Sequence, residues 1–337
     1  MKQKTTALVL TELIKNAKSG EAISGQMLAE KIGVSRNAVW KAIKQLQADG
    51  YNITATTNLG YMLQESTDEK LNAAEIKAYL YNNPELRVFV YDEIDSTNSA
   101  AKRLILDGTI PPFLVAADSQ TAGRGRFGRK FYSPSKTGIY MSLVISPEMK
   151  LGSPVTVTAA AAVAVSRAIA AQLHKETEIK WVNDVFLDGK KICGILSEAT
   201  SDVETGTIKN IIIGIGINLT TAHFPEEIAD IAGCVSNADA VSNADTGNKT
   251  EVSRAKVIAA VADTLLQLTR EQNNTDFLDE YRKRSCVVGK DINYFSGETR
   301  TEAHALGIDE AGGLIVKLLD GTIDVLRSGE ITVRIKA

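Results

Sequence analysis

Apolar positions recur every three or four residues at Leu8, Val9, Leu10, Leu13 and Ile14, which predicts an amphipathic helix over residues 5–18. Ser24 stands where an N-cap would start a second helix whose inner face is Leu28, Ala29 and Ile32. Gly33 follows, a residue suited to the left-handed end of such a helix. Ser35 then caps a third helix over residues 36–49, with Val39, Ile43 and Leu46 on one face and Arg36, Asn37, Trp40, Lys41 and Lys44 mostly on others. Residues 52–55 and 61–63, joined through Asn58, Leu59 and Gly60, read as a small hairpin. Three helices and a hairpin in this order predict a winged helix-turn-helix over residues 1–65, and the polar run 66–70 marks a boundary behind it.

Beyond that boundary the periodicity alternates between helix and strand, which predicts an α/β core over residues 66–288. Strands are expected at 88–91, 113–117, 139–145, 177–181, 185–187 and 190–198, with Asp188-Gly189 as a hairpin turn. The run 209–219 holds Ile211 to Ile217, a pattern expected of a central strand buried on both faces. Ser96 or Thr97 is expected to cap a helix over 100–106, and 155–173 reads as a buried Ala-rich helix. The polar stretch 233–250 contains a near-repeat (Val235-Ser236-Asn237-Ala238-Asp239, then Val241-Ser242-Asn243-Ala244-Asp245) and reads as a surface loop. Residues 251–284 are helical in pattern. Short strands and glycine turns from Gly289 to the end predict a small all-β barrel over 289–337.

Charge sharpens the first of these domains. The 337-residue chain carries a net charge of −3, yet residues 1–64 hold eight Lys and Arg against four Asp and Glu. A basic head on an acidic body fits a local nucleic-acid contact rather than wholesale nucleic-acid coating. In such a module the third helix enters the major groove, with Arg36 and Asn37 near the base edges and Lys41 and Lys44 at phosphates. A winged helix that serves protein contacts is the alternative. Cys193, Cys234 and Cys286 are scattered and the chain has three histidines, which argues against a zinc site or a His-based triad. No signal-peptide pattern precedes the first helix, so a cytoplasmic protein without a membrane span is expected.

Candidate chemistry concentrates in two segments. Gly123-Arg124-Gly125-Arg126-Phe127-Gly128-Arg129-Lys130 offers guanidinium charge on a backbone that a ligand can approach. Its glycines match GxGxxG, but a dinucleotide fold requires a helix to follow, and Lys130-Phe131-Tyr132-Ser133-Pro134 is no helix. The second segment runs from Lys180-Trp181-Val182-Asn183-Asp184 to Lys191-Ile192-Cys193-Gly194, with the Lys191 ammonium at the start of an apolar run. Ser96, Thr97 and Asn98 add small donors and acceptors, and Asn218 ends the central strand.

These motifs in order resemble the bacterial bifunctional biotin–protein ligase and biotin-operon repressor family over essentially the whole chain. They are the winged helix, Asp95-Ser96-Thr97-Asn98, Gln120 with Gly-Arg-Gly-Arg, Lys-Trp-x-Asn-Asp, Lys191 in Lys-x-x-Gly-Ile-Leu, and Gly-x-Gly-Ile-Asn. The resemblance implies an α+β multidomain chain. Its central mixed-sheet ligase domain would be class II synthetase-like, and its C-terminal barrel SH3-like. It further implies that biotin and ATP, with Mg²⁺, form biotinyl-5′-AMP and pyrophosphate. A lysine of the biotin carboxyl carrier protein, the acceptor of a biotin–[acetyl-CoA-carboxylase] ligase, then takes the biotin. By that resemblance Ser96, Thr97, Asn98 and Gln120 meet the biotin head. Arg124, Gly125 and Arg126 close over carboxylate and phosphate. Lys191 bridges the two, with Arg124 sharing the catalytic work. Arg126, Phe131, Tyr132, Asn183 and Asn218 lie near the nucleotide. Ser35, Arg36, Asn37, Trp40, Lys41 and Lys44 face operator DNA, bound as an adenylate-stabilised homodimer. Val182 stands where the family often has proline, and Phe131 where tryptophan is common. A biotin-sensing repressor without ligase activity, or a ligase for lipoate or another acyl group, remains as an alternative.

Overall fold

The computed structural model describes all residues except 1, 18–20, 49–50, 52, 57–58, 64–70, 147–153, 202–204, 206, 237–252, 271–275, 328–330 and 336–337. The chain divides into two compact units, Met1–Val88 and Phe89–Ala337. The polar boundary expected at 66–70 and most of the near-repeat at 235–245 lie outside the described residues.

The first unit is built on α1 (Lys2–Ala17), α2 (Gly25–Ile32), α3 (Arg36–Ala48), the hairpin β1 (Ile53–Thr56) with β2 (Gly60–Leu63), and α4 (Ala73–Tyr79). Ser24 accepts from Met27 N, and Gly33 closes α2 in the left-handed region at φ 73°. Ser35 Oγ accepts from Ala38 N at 3.2 Å and starts α3. Val9, Leu10, Leu13 and Ile14 bury with Leu28, Val39, Ile43, Leu46 and Ile53 in one core. Ile23 pairs with Tyr61 through two backbone hydrogen bonds of 2.8 Å, which fastens the hairpin to the start of α2. Gly60 makes that approach possible, since a side chain there would collide with the Ile23 carbonyl. Sequence periodicity did not announce α4, whose Ala78 belongs to this core and whose Asn72 cap accepts from Ala74 N.

The second unit centres on a seven-stranded sheet in the order β3-β4-β5-β9-β8-β7-β6. These are β3 (Arg87–Ile94), β4 (Phe113–Gln120), β5 (Gly138–Ile145), β6 (Glu178–Lys180), β7 (Asp184–Leu187), β8 (Lys190–Ser201) and β9 (Ile208–Asn218). Antiparallel pairing joins β4 to β5, β5 to β9, β9 to β8, β8 to β7 and β7 to β6. Isolated parallel bridges join Ile179 to Ser285 and Lys191 to Ala232 at the margin of the sheet. The Ile-rich strand β9 is central, as its apolar run predicts.

The helices of this unit are α5 (Thr97–Leu106), α6 (Pro154–Leu173), α7 (Glu226–Ala229), α8 (Arg254–Arg270) and α9 (Asp276–Lys283). By length and composition the 155–173 stretch of α6 passes for a membrane span, but 78% of that window is buried inside the unit. Two expectations need correcting. The helix expected at 100–106 begins at Thr97, and Ser96, although at the N-cap position, makes no side-chain cap. Nor is the start of the 233–250 stretch all surface: Val235 is buried, held by its N–H on the Asn218 carbonyl at 3.0 Å.

Five antiparallel strands follow: β10 (Asp291–Ser296), β11 (Thr299–Ile308), β12 (Leu314–Leu318), β13 (Ile323–Leu326) and β14 (Ile331–Ile335). They form a sheet in the order β13-β12-β11-β10-β14, with a bulge between Ala305 and Gly307. No closure between β13 and β14 appears among the described residues, so the expected barrel is seen as an open sheet. Its β11–β12 turn is tied to the rest of the unit. Trp181 Nε1 donates to the Gly312 carbonyl at 3.0 Å, and Arg282 donates to the Ile308 and Asp309 carbonyls at 2.8 and 3.0 Å.

Candidate functional site

The start of α5 places Ser96, Thr97 and Asn98 in the interior, each about 4% exposed. Burial of so many polar atoms requires partners. Asp95 accepts from Ser96 N at 2.7 Å and is itself clasped by Arg103 at 2.7 and 2.9 Å. That clasp holds the Asp95 carboxyl down at about 2. Gln120, at the end of β4, accepts from Thr97 N at 2.8 Å and donates to Ser133 Oγ at 2.9 Å. Ser142 on β5 reaches Thr97 Oγ1 at 2.8 Å and Asn98 Oδ1 at 2.6 Å. Asn98 Nδ2 donates to the Leu196 carbonyl at 3.3 Å and to Glu198 Oε2 at 2.7 Å. Gly214 leaves the room for this amide, since any side chain there would strike Asn98 Oδ1. Burial would raise the Glu198 carboxyl. Hydrogen bonds from Lys102 and Asn98 and the charges of Lys102 and Arg124 outweigh that, so it titrates below its ordinary range.

The Gly-Arg loop folds back on itself. Gly125 N donates to the Arg129 carbonyl at 2.7 Å and Phe131 N to the Gly123 carbonyl at 2.9 Å, while Arg124 bridges to Lys130. Residues Arg126–Gly128 make one 3-10 turn, with Phe127 left-handed at φ 58° and half exposed. No α-helix follows, so the GxGxxG pattern here is not the dinucleotide fingerprint. Phe131 anchors the loop: a Cβ on Gly216 would come within 2.5 Å of its ring and one on Gly194 within 3.3 Å. These two glycines are register partners on β8 and β9, and together they form a notch for the ring. Arg124 donates to Ser99 Oγ at 3.0 Å and lies 3.9 Å from Glu198. Arg126 donates to Asn183 Oδ1 at 3.4 Å, and burial lowers its affinity for its proton.

Lys191 lies beside that loop. Its Nζ is 2.6 Å from Asp184 Oδ1, a buried oxygen that makes no aligned hydrogen bond. The backbone of Lys191 is also pinned, donating to the Ile231 carbonyl and accepting from Gly233 N. Burial lowers the affinity of nearby Lys180 for its proton. Asn183 Nδ2 donates to the Ile195 carbonyl at 2.9 Å, and Asn218 Nδ2 to the Gly233 carbonyl at 3.0 Å. Tyr132 stands edge-on to Phe224 at 6.3 Å. The structure therefore joins Thr97, Asn98 and Gln120 with Ser142 and Glu198 in one polar network that Arg124 borders, with Ser96 next to it in sequence, while Lys191 pairs with Asp184 and Arg126 with Asn183. Sequence reasoning missed Ser133, Ser142 and Glu198, and gave Asp184 no role of its own. The available signal was a single serine inside the apolar run 139–145 and a carboxylate ending the apolar stretch of β8.

In the first unit, Ser35, Arg36, Asn37, Trp40, Lys41 and Lys44 are all exposed along α3, while Val39, Ala42, Ile43 and Leu46 are buried. The helix thus presents a basic, aromatic-bearing face away from its core.

Residues 90–218 match the Biotin/lipoate A/B protein ligase family, and residues 9–62 match an HTH domain. This is a protein-ligase domain behind a helix-turn-helix head. The chain is 35% identical to the bifunctional ligase/repressor BirA of Bacillus spizizenii, over 93% of this chain and 94% of the relative. It is 29% identical to the Escherichia coli protein of the same name, over 99% of each. The solved biotin protein ligase from Aquifex aeolicus, in complex with biotin and ATP, superposes with a TM-score of 0.60 at 26% identity, covering 74% of this chain and 99% of that one. The chain belongs to the family of bifunctional BirA ligase/repressors.

Proposed function

We propose that the protein activates biotin with ATP, transfers it to a lysine of the biotin carboxyl carrier protein, and represses transcription when loaded with the adenylate. The observation that carries the ligase half is the Lys191–Asp184 ion pair, with Arg126 hydrogen-bonded to the adjacent Asn183, in the same unit as the buried polar network of Thr97, Asn98 and Gln120. Biotin carboxylate and the ATP α-phosphate are both anions, and cations placed at their meeting point offset the repulsion. A carboxylate oxygen attacks the α-phosphorus, the bond to the bridging oxygen breaks, and pyrophosphate leaves. The acceptor lysine amine then attacks the acyl carbon, loses a proton, and AMP departs.

In this reading Ser96, Thr97 and Gln120 meet the biotin head, with Asn98 supporting them through its network. Arg124, Gly125 and Arg126 close over the carboxylate and phosphate. Phe131, Tyr132, Asn183 and Asn218 border the nucleotide. Mg²⁺ would come with ATP and help to neutralise the leaving pyrophosphate. On the repressor side, the exposed face of α3 reads the major groove of an operator. A homodimer stabilised by the adenylate presents two such helices. An SH3-like barrel is the reading for the five C-terminal strands, an open sheet among the described residues; the register shift between Ala305 and Gly307 supports it, since bulges bend strands. A cytoplasmic location is the reading that suits a protein using ATP, a carrier-protein acceptor and operator DNA.

The test is adenylate formation from α-labelled ATP, Mg²⁺ and biotin, with lipoate in parallel. A biotin-dependent adduct is expected, and Lys191→Ala should slow it by about 10²–10³-fold. An adduct with lipoate alone would reassign the substrate. No adduct from folded protein would leave a ligand-sensing repressor.

A further inference from the structure

The two arginines of the Gly-Arg loop are held by different elements. Arg126 donates to Asn183, next in sequence to the Asp184 that pairs with Lys191. Arg124 goes instead to α5 and β8: its Nη2 donates to Ser99 Oγ at 3.0 Å and stands 3.9 Å from Glu198 Oε2. Glu198 is already partnered, since Lys102 Nζ lies 2.7 Å from Oε1 and Asn98 Nδ2 lies 2.7 Å from Oε2. Lys102 and Arg124 thus face one carboxylate, and the excess positive charge suits an anionic ligand. Ser99 acts on Arg124 differently from Glu198. It is a neutral acceptor, so its hydrogen bond fixes the guanidinium without cancelling its charge. The Arg124 side chain is 43% exposed, and a long side chain that must be ordered on binding costs affinity that an anchored one does not. Ser99 follows Asn98 directly on α5, so the helix that carries part of the buried polar network also carries the anchor of the guanidinium.

We propose that Ser99 is a positioning residue that sets specificity through Arg124. It holds the guanidinium beside the polar network, where it receives the carboxylate of the acid substrate, while Arg126, on Asn183, serves the phosphate. The acid is then selected by its charge as well as by its head. The inference rests on the reading of Thr97 and Gln120 as part of the biotin pocket. Ser99→Ala removes the acceptor. Ser99→Val and Ser99→Thr form a second pair of nearly equal shape, in which only threonine keeps an oxygen for Arg124. That pair separates the hydrogen bond from helix propensity and packing.

The measurement is calorimetric binding to the full chain of biotin and of biotinol, in which a neutral CH₂OH replaces the carboxylate. The wild-type protein is expected to prefer biotin by about 10–100-fold, the range of a charge-assisted hydrogen bond. Ser99→Ala and Ser99→Val should each cut that preference by about 3–10-fold, by weakening biotin at nearly constant biotinol affinity, and Ser99→Thr should keep it. Arg124→Gln should cut it at least as far, and Ser99→Ala added to that variant should change nothing more. A preference that survives Ser99→Ala and Ser99→Val, or that Arg124→Gln leaves intact, would overturn the proposal. So would a Ser99→Thr variant no better than Ser99→Val, or a Ser99→Ala effect that persists without Arg124. A wild-type protein that binds both ligands equally would overturn it too. A wild-type protein that binds neither would instead remove the biotin reading on which the proposal stands.

Discussion

The Lys191 ammonium and the Asp184 carboxylate lie 2.6 Å apart, which makes each the other's main counter-charge before any substrate arrives. Removing Lys191 therefore has two separable effects. Adenylate formation falls, as argued above. Stability should also drop, by about 1–3 kcal/mol, because a partly buried carboxylate loses its partner; a melting curve of Lys191→Ala checks this independently of catalysis. The Asp95–Arg103 clasp makes a different kind of prediction. Its carboxyl titrates at about 2 in the folded protein against 3.8 ordinarily. A lowered carboxylate value means the clasp stabilises fully above the ordinary value and loses its contribution as pH falls through the folded one. Arg103→Ala should thus lower the melting temperature near neutrality, and the gap from wild type should close between about pH 4 and pH 2. A gap that stays constant through that window would show that Arg103 acts by packing instead.

Among the elements, the Phe131 notch is the tightest joint in the candidate site. Gly216→Ala puts a methyl group within 2.5 Å of the ring, so the Gly-Arg loop must move off β8 and β9. Overpacking of this kind costs about 1–3 kcal/mol. Because the loop carries Arg124 and Arg126, the adenylation rate should fall with it, measurable by the same labelled-ATP assay. A restored rate in Gly216→Ala with Phe131→Leu would trace the loss to that one contact. Much of this layer was legible in the sequence. The turn glycines, the 3.6-residue stripes of α1 to α3 and the Ile-rich run of β9 each carry a local signal that the fold obeys. The helix α4 was not legible, since seven residues give a periodic pattern too little length to stand out. Nor was the polar network. Asn98 finds Ser142 44 residues away and Glu198 100 away, and no local pattern encodes a partner brought in by sheet pairing. The Asp188-Gly189 turn was readable as a hairpin. That the hairpin delivers Asp184 to Lys191 depended on a register shift between Val185 and Phe186, which only the structure supplies.

For the whole molecule, the two compact units divide the labour, and the repressor half is testable by salt. Lys44 lies exposed on α3, four residues beyond the exposed Trp40. If it meets a phosphate, Lys44→Ala should weaken operator binding on all sequences and reduce the slope of log K against log salt by about 1. Arg36→Ala should instead relax preference at one base pair, costing about 1–3 kcal/mol there. Gel shifts across a salt series separate the two. The second unit, by contrast, resists subdivision. Trp181 is buried, and its indole N–H ends on the Gly312 carbonyl, so the segment that carries Asn183 and Asp184 leans on a turn more than a hundred residues later. Arg282 adds two more bonds to the same turn. Exchange of parts between relatives is constrained accordingly. A chimera joined just before Gly289 inherits the Asn183–Asp184 segment and its prop from different parents. Such hybrids should lose activity unless the 309–313 turn travels with the ligase core, so the heritable unit of this enzyme is the span 89–337 rather than either of its two sheets.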